Sequence, residues 1–228
     1  MKKKILVGII LLISLGILVY FLDYYNIIPK KKYHDKDFGI TTIKSMVDYN
    51  QNGIDDYTDI LNGAKIDAYN KPKYKSVYYD GGYPPEDEGV CTDLIWRAFK
   101  EAGYSLKDMV DNDIEKNKDD YHIKVADKNI DFRRVVNLRV FFDKYATILT
   151  NDINDIDEWM PGDIVIFGNN NHIGIVSDYR NKQGIVYILH NGGQPIREED
   201  YLKRGKVTRH YRFDASKIDS SVIFSFDK

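Results

Sequence analysis

The chain has 228 residues, which suits one short membrane segment and one modest globular domain. Apolar residues make up 43% and charged residues 30%, with 18 Tyr and 10 Phe, which excludes disorder for most of the chain. With 33 basic against 35 acidic residues and a net charge of -2, no basic face dominates, so nucleic acid is excluded as the main partner.

Lys2, Lys3 and Lys4 precede an uncharged run from Ile5 to Leu22, closed by Asp23. Eighteen helical residues span roughly 27 Å, close to the hydrocarbon thickness of a bilayer. Tyr20, Phe21, Tyr24 and Tyr25 then fall where an interfacial aromatic belt would lie. A cleaved signal peptide needs small residues at its cleavage site, whereas Val19-Tyr20-Phe21-Leu22 is bulky throughout. No cysteine follows for lipid modification. Residues 1–22 are therefore expected to be an uncleaved, single-pass membrane anchor. Lys30, Lys31 and Lys32 lie beyond the run, but the triplet abutting it directly should stay cytoplasmic and leave the rest of the chain extracytoplasmic.

Residues 23–37 are charged, contain Pro29 and lack periodicity, the pattern of a linker. Within residues 38–70, the stretch Asp48 to Asp59 is rich in Asp and Asn. It places Asp48, Asn50, Asn52, Asp56 and Asp59 at loop positions 1, 3, 5, 9 and 12, with Gly53 at position 6 and the Ile54 carbonyl at position 7. That spacing resembles the calcium loops of EF-hand and dockerin-like modules, and predicts a structural Ca²⁺. The competing reading is an Asx-rich turn capping a helix at about residues 58–64.

Residues 71–228 read as the main domain. Tyr74 to Pro85 is a loop marked by Gly81-Gly82 and Pro84-Pro85. Val90, Leu94, Ile95, Ala98 and Phe99 recur at helical spacing, with Gly103 placed to end the helix. A second helix is predicted from about Arg134 to Tyr145. Beyond the turn at Pro161-Gly162, short apolar strands follow at residues 164–167, 173–176 and 185–189, with a last one at residues 222–226. Helices followed by a strand meander predict an α+β domain with an antiparallel sheet.

One cysteine in an exported chain cannot form an internal disulfide, so Cys91 is the first candidate for a reactive thiol. It sits at the start of a predicted helix, where free N–H groups and the helix dipole should favour the thiolate and could hold an oxyanion. His172 opens one predicted strand and His190 ends the next. If those strands are antiparallel neighbours, His172 is the base and His190, or else Asn191, orients it. Packing alone would also explain a small buried cysteine and a strand-end histidine.

Tyr78-Tyr79-Asp80-Gly81-Gly82, the helix of Cys91, the run Trp159-Met160-Pro161-Gly162-Asp163, then His172-Ile173-Gly174-Ile175 and His190 together resemble the NlpC/p60 group of papain-like cysteine hydrolases. Gly89-Val90-Cys91-Thr92-Asp93 and Asp131-Phe132-Arg133-Arg134-Val135 resemble a poorly characterised branch of that clan. The resemblance implies a papain-like NlpC-type fold, N-terminal helices packed on an antiparallel sheet, and hydrolysis of amide bonds in cell-wall peptides. It maps Cys91 as nucleophile, His172 as base, His190 as orienting residue and Tyr78 near the oxyanion. Asp93, Arg133, Arg134 and Asn191 become candidate substrate contacts, the arginines as a clamp for a carboxylate. The group's aspartate before the nucleophile is Val90 here, and its serine-glycine after it is Thr92-Asp93, which leaves the substrate open. No cofactor is expected for catalysis. The rivals are an acyltransferase or transglutaminase-like enzyme on the same fold, and a non-catalytic, calcium-stabilised surface module.

Overall fold

The computed structural model describes residues 2–226. Helix α1 (Lys2–Tyr24) carries the apolar run, and none of its residues is buried by the other described residues. It is long and apolar enough to cross a membrane, a property that signal sequences share.

The residues after α1 are strapped to the domain instead of forming a loose linker. Tyr33 and Arg180 exchange backbone hydrogen bonds of 2.9 and 2.8 Å. Arg180 is fully buried, and its guanidinium lies 2.5 Å from the buried carboxylate of Asp35 while donating to the carbonyls of Ile156, Trp159 and Gly184. A buried guanidinium needs a carboxylate, and that need draws the strap inward.

Helix α2 (Asp56–Asn70) follows, with Asp55 at its N-cap accepting from the Thr58 hydroxyl at 2.7 Å. Strand β1 (Lys73–Tyr74) pairs in parallel with β2 (Glu88–Gly89), which leads into α3 (Cys91–Glu101). Helix α4 (Leu106–Lys116) buries Leu106, Met109, Val110 and Ile114 along one stripe, and has no counterpart among the predicted elements. Helix α5 (Val135–Tyr145) begins one residue later than the sequence predicts.

The remaining strands are β3 (Thr147–Ile148), β4 (Ile164–Phe167), β5 (His172–Arg180), β6 (Val186–Leu189), β7 (Glu198–Glu199) and β8 (Val207–Arg212). They form one antiparallel sheet ordered β3-β8-β4-β5-β6-β7, so the domain is α+β, as the strand meander predicts. The last expected strand is instead a 3-10 turn at Ser220–Val222 followed by an isolated bridge from Ser225 to Tyr104. Strand β8 carries Thr208, Arg209, His210 and Arg212 and so offers no apolar run by which it could be predicted.

Both faces of the sheet are covered. Ile164 and Ile166 of β4 join the core shared with α2, α3, α4 and α5, while Val165 and Phe167 pack with Trp159, Val176, Ile188 and Leu202. Ile60, Leu61, Ala64 and Ala68 of α2 lie in the same core as Cys91, so residues 38–70 are not separate from the domain. The Pro161-Gly162-Asp163 turn is structural. Gly162 has φ +89°, and a Cβ there would come within 2.5 Å of the Tyr57 carbonyl. Asp163 accepts from the Met160 N–H at 2.9 Å and from Arg212 at 2.7 Å, and lies 2.9 Å from His210 Nε2.

Candidate active site

Cys91 is the first residue of α3, and the helix start is fastened from three directions. Asp93 accepts from the Val90 N–H at 2.7 Å, closing the first turn, and its oxygens take both arms of Arg133 at 2.8 and 2.9 Å. Trp96 Nε1 donates to the same carboxylate, and the Thr92 hydroxyl donates to the Arg133 carbonyl. From the sheet side, Asn191 Nδ2 donates to the carbonyls of Gly89 and Pro72 at 3.2 and 3.3 Å. The backbone N–H of Ile173, the residue after His172, lies near enough to the sulfur to favour its ionised form, so α3 and the start of β5 meet at Cys91.

His172 and His190 approach because β5 and β6 are antiparallel neighbours. Gly174 makes the approach possible: a Cβ there would stand 2.7 Å from Ile188 Cγ2, 2.8 Å from the Leu189 carbonyl and 3.1 Å from His190 Cβ. His172 Nε2 lies 2.8 Å from His190 Nδ1 with the rings nearly perpendicular. His190 Nε2 faces Glu199 Oε1 at 3.5 Å, and the other Glu199 oxygen is paired with Arg204. This order leaves Nδ1 as the free nitrogen of His172. With a proton on its Nε2, His172 donates to His190 Nδ1, whose own Nε2 then faces the Glu199 carboxylate. Tyr201 lies against the His190 ring at 4.3 Å, and Gln194 Nε2 donates to the His190 carbonyl at 3.0 Å.

Burial governs the charges. It pushes the Cys91 thiol from 9.0 up to about 11, although N–H groups of Ile173 and Thr92 act the other way. It pushes the His172 imidazole from 6.5 down to about 4, and holds His190 well below its ordinary value, with repulsion from His172 and Arg204 adding to burial. Glu199 is raised by burial against the pull of Arg204. The resting pair is therefore neutral thiol and neutral imidazole. The helix start does not deliver the thiolate that its position predicts, because desolvation outweighs it.

The other expected residues are placed differently. Tyr78 is exposed and bonded to Asp127 and Asn129; the tyrosines near enough to Cys91 to be raised by its ionised form are Tyr74 and Tyr201. Asp93 and Arg133 are buried and spend their polar atoms on each other and on Val90, Trp96 and Val77, so neither is open to a substrate. Arg134 is half exposed at the start of α5 beside Asp131. Asn191 is a buried clamp on the strand leading to Cys91, not a partner of His172. Glu199, Arg204 and Tyr201 complete the surroundings of the histidine pair, and nothing sets them apart in the charged stretch from Arg197 to Arg204.

In the Asp/Asn-rich loop, Asp48 accepts from the N–H groups of Asn52 and Gly53 at 3.0 and 2.8 Å, and the Ile54 N–H donates to Asn52. Asp56 is turned inward to the Tyr49 N–H and the Tyr104 hydroxyl. Asn50 and Asn52 present amide nitrogens to Asp59 at 3.0 and 2.9 Å, donors where a cation would need oxygens. Among the described residues no group of three or more His, Cys, Asp or Glu is placed to hold a metal ion. The loop is arranged as a series of Asx turns that seats α2.

Residues 61–213 match the family described as Domain of unknown function (DUF1287). The chain is also 36% identical over 149 residues to a protein of Escherichia coli (strain K12) described as "Uncharacterized protein YijF", an alignment covering 62% of this chain and 72% of the relative. No solved structure matches. The likeness to NlpC/p60 hydrolases thus rests on the motifs alone. The matched stretch runs from α2 to the residue after β8, and so contains Cys91, both histidines and Glu199: this chain belongs to the DUF1287 family.

Proposed function

We propose that this protein is a membrane-anchored, extracytoplasmic cysteine peptidase or amidase of papain-like, NlpC-type architecture that hydrolyses amide bonds in cell-wall peptides. The observation that carries the reading is the convergence at one helix start: the Cys91 thiol beside the Ile173 N–H, with His172 held at 2.8 Å by His190. In this reading Sγ attacks the carbonyl carbon while His172 Nδ1 takes the thiol proton, and the backbone N–H at the start of α3 receives the oxyanion. The C–N bond then breaks, and the proton on His172 passes to the leaving amine, leaving a thioester on Cys91. Water attacks the thioester and gives its proton to His172, which returns it to the sulfur as the acid departs. Atoms and charge balance with water as the only co-reactant. His190 and Glu199 act through His172 as positioning residues, keeping Nδ1 free as the acceptor.

The test is hydrolysis of isolated peptidoglycan peptides by the full-length protein in detergent, followed by chromatography of released amines. Cleavage by the native protein with none by Cys91→Ala or His172→Ala is the expected result. Cleavage that persists in Cys91→Ala overturns the proposal, and transfer to an added amine instead of water would make the enzyme an acyltransferase.

A further inference from the structure

Helix α1 ends on the candidate active site. The Tyr24 carbonyl accepts from Arg204, and the Tyr24 ring lies 4.6 Å from the same guanidinium. Asn26 Nδ2 donates to Glu199 Oε2 at 3.2 Å, the carboxylate whose other oxygen faces His190. Tyr24, Tyr25, Tyr201 and Arg204 wall a cleft of about 260 Å³ that His172, half-buried, and His190, buried, also line. Arg204 Nε and Asn26 Oδ1 are buried with no hydrogen-bond partner among the described residues, one spare donor and one spare acceptor in this wall.

No slack separates the apolar run from this cleft. Leu22 closes the run, and Tyr24 and Tyr25 stand two and three residues later, about 3–5 Å further along a helix. The chain beyond is fastened as well: Lys32 pairs with Glu198 at 2.7 Å, Tyr33 bridges to Arg180, and Asp35 is buried against Arg180. With the run in a bilayer, the tyrosines lie at headgroup level, where their amphipathic rings are favoured, and the cleft opens there. A site held at that height is poorly placed to reach polymer standing off the membrane.

We infer that the cleft works at the bilayer interface and takes its amide from a lipid-linked molecule in the same leaflet. The inference rests on the proposed chemistry at Cys91 and on α1 remaining in the membrane, and it narrows the substrate from cell-wall peptides in general to those still carried on a lipid.

The test is a reach series with the full-length protein in phosphatidylcholine vesicles. A maleimide is presented either directly on a phospholipid headgroup or on the same lipid through a long poly(ethylene glycol) spacer. The thiol is native Cys91 in one arm and a reporter, Gly192→Cys in a Cys91→Ser background, in the other. Gly192 lines the cleft, and a Cβ there would sit 3.6 Å from His172 Cε1. The expected result is labelling by the two lipids at rates within about threefold of each other in both arms, since the site already lies where the short probe is concentrated. Labelling of the reporter by the spacer lipid alone overturns the inference and leaves the chemistry at Cys91 untouched. Labelling of the reporter by the short lipid with native Cys91 closed to both overturns the lipid-linked substrate and the proposed function together.

Discussion

The resting protonation of the Cys91–His172 pair can be tested by alkylating the thiol across a pH range. Cys91 is 6% exposed, and burial moves its thiol from 9.0 to about 11. Because the thiolate is the species that reacts, a thiol so shifted holds roughly one hundredth of the ordinary thiolate at pH 7. His172 is neutral at that pH, since burial carries it down to about 4, so it lends no positive charge to stabilise a thiolate. Iodoacetamide labelling of the full-length protein, followed by intact mass, should therefore be slow at neutral pH and climb tenfold per pH unit towards about 11. His172→Ala should leave that profile within about threefold while abolishing turnover, because the histidine matters only when the proton moves. Fast labelling between pH 5 and pH 7 that disappears in His172→Ala would refute the argument: it would mean a preformed thiolate–imidazolium pair that overcomes burial.

Four further outcomes follow from the same geometry. The acid limb of kcat/KM should have its midpoint near pH 4: His172 is a free base above about 4 and is protonated as the pH falls through that value, whereas a limb at 6.5 would indicate an unburied imidazole. Gly174→Ala should lower kcat about tenfold or more while circular dichroism stays native, because the added methyl forces apart the strands that carry His172 and His190; unchanged kcat would remove the glycine from the site. Arg133→Ala should cost about 3–5 kcal/mol in urea denaturation, since it strands the fully buried Asp93, and a loss below about 1 kcal/mol would show that water reaches the carboxylate. Calcium and a chelator should give thermal midpoints that agree within about 2 °C; a calcium-dependent rise larger than that would mean that Asn50 and Asn52 turn their oxygens inward to bind the ion.

The parts of the site that carry a local signature are legible in the sequence. Cys91 is alone in the chain and opens a periodic apolar stretch, while His172 and His190 bracket two short apolar runs whose length forces them to be strands. The α+β order follows from the same runs. What the sequence hides depends on burial and on long-range pairing. Asp93 and Arg133 are forty residues apart and look like any two surface charges until both are seen to be dry. Tyr74 and Tyr78 fall in one glycine- and proline-rich stretch with no period to say which lies nearer the thiol. Glu199 lies on a strand of two residues, too short for any alternation, and only its pairing with β6 brings it beside His190. The charges of residues 30–36 read as solvated, although one of them neutralises the most deeply buried arginine in the fold.

That arginine bears on where the chain can be shortened. A soluble fragment beginning at Lys36 is the natural choice from composition, since it discards the apolar run and the lysines after it. It would also discard Asp35 and the backbone partner that Tyr33 offers to β5, leaving the Arg180 guanidinium charged and dry with only carbonyl oxygens around it. Removing one member of such a pair costs about 3–5 kcal/mol, much of what holds a domain of this size together. A fragment that starts at Asn26 keeps the carboxylate, the bridge and the amide on Glu199, and gives up the apolar run together with Tyr24 and Tyr25 at the cleft wall.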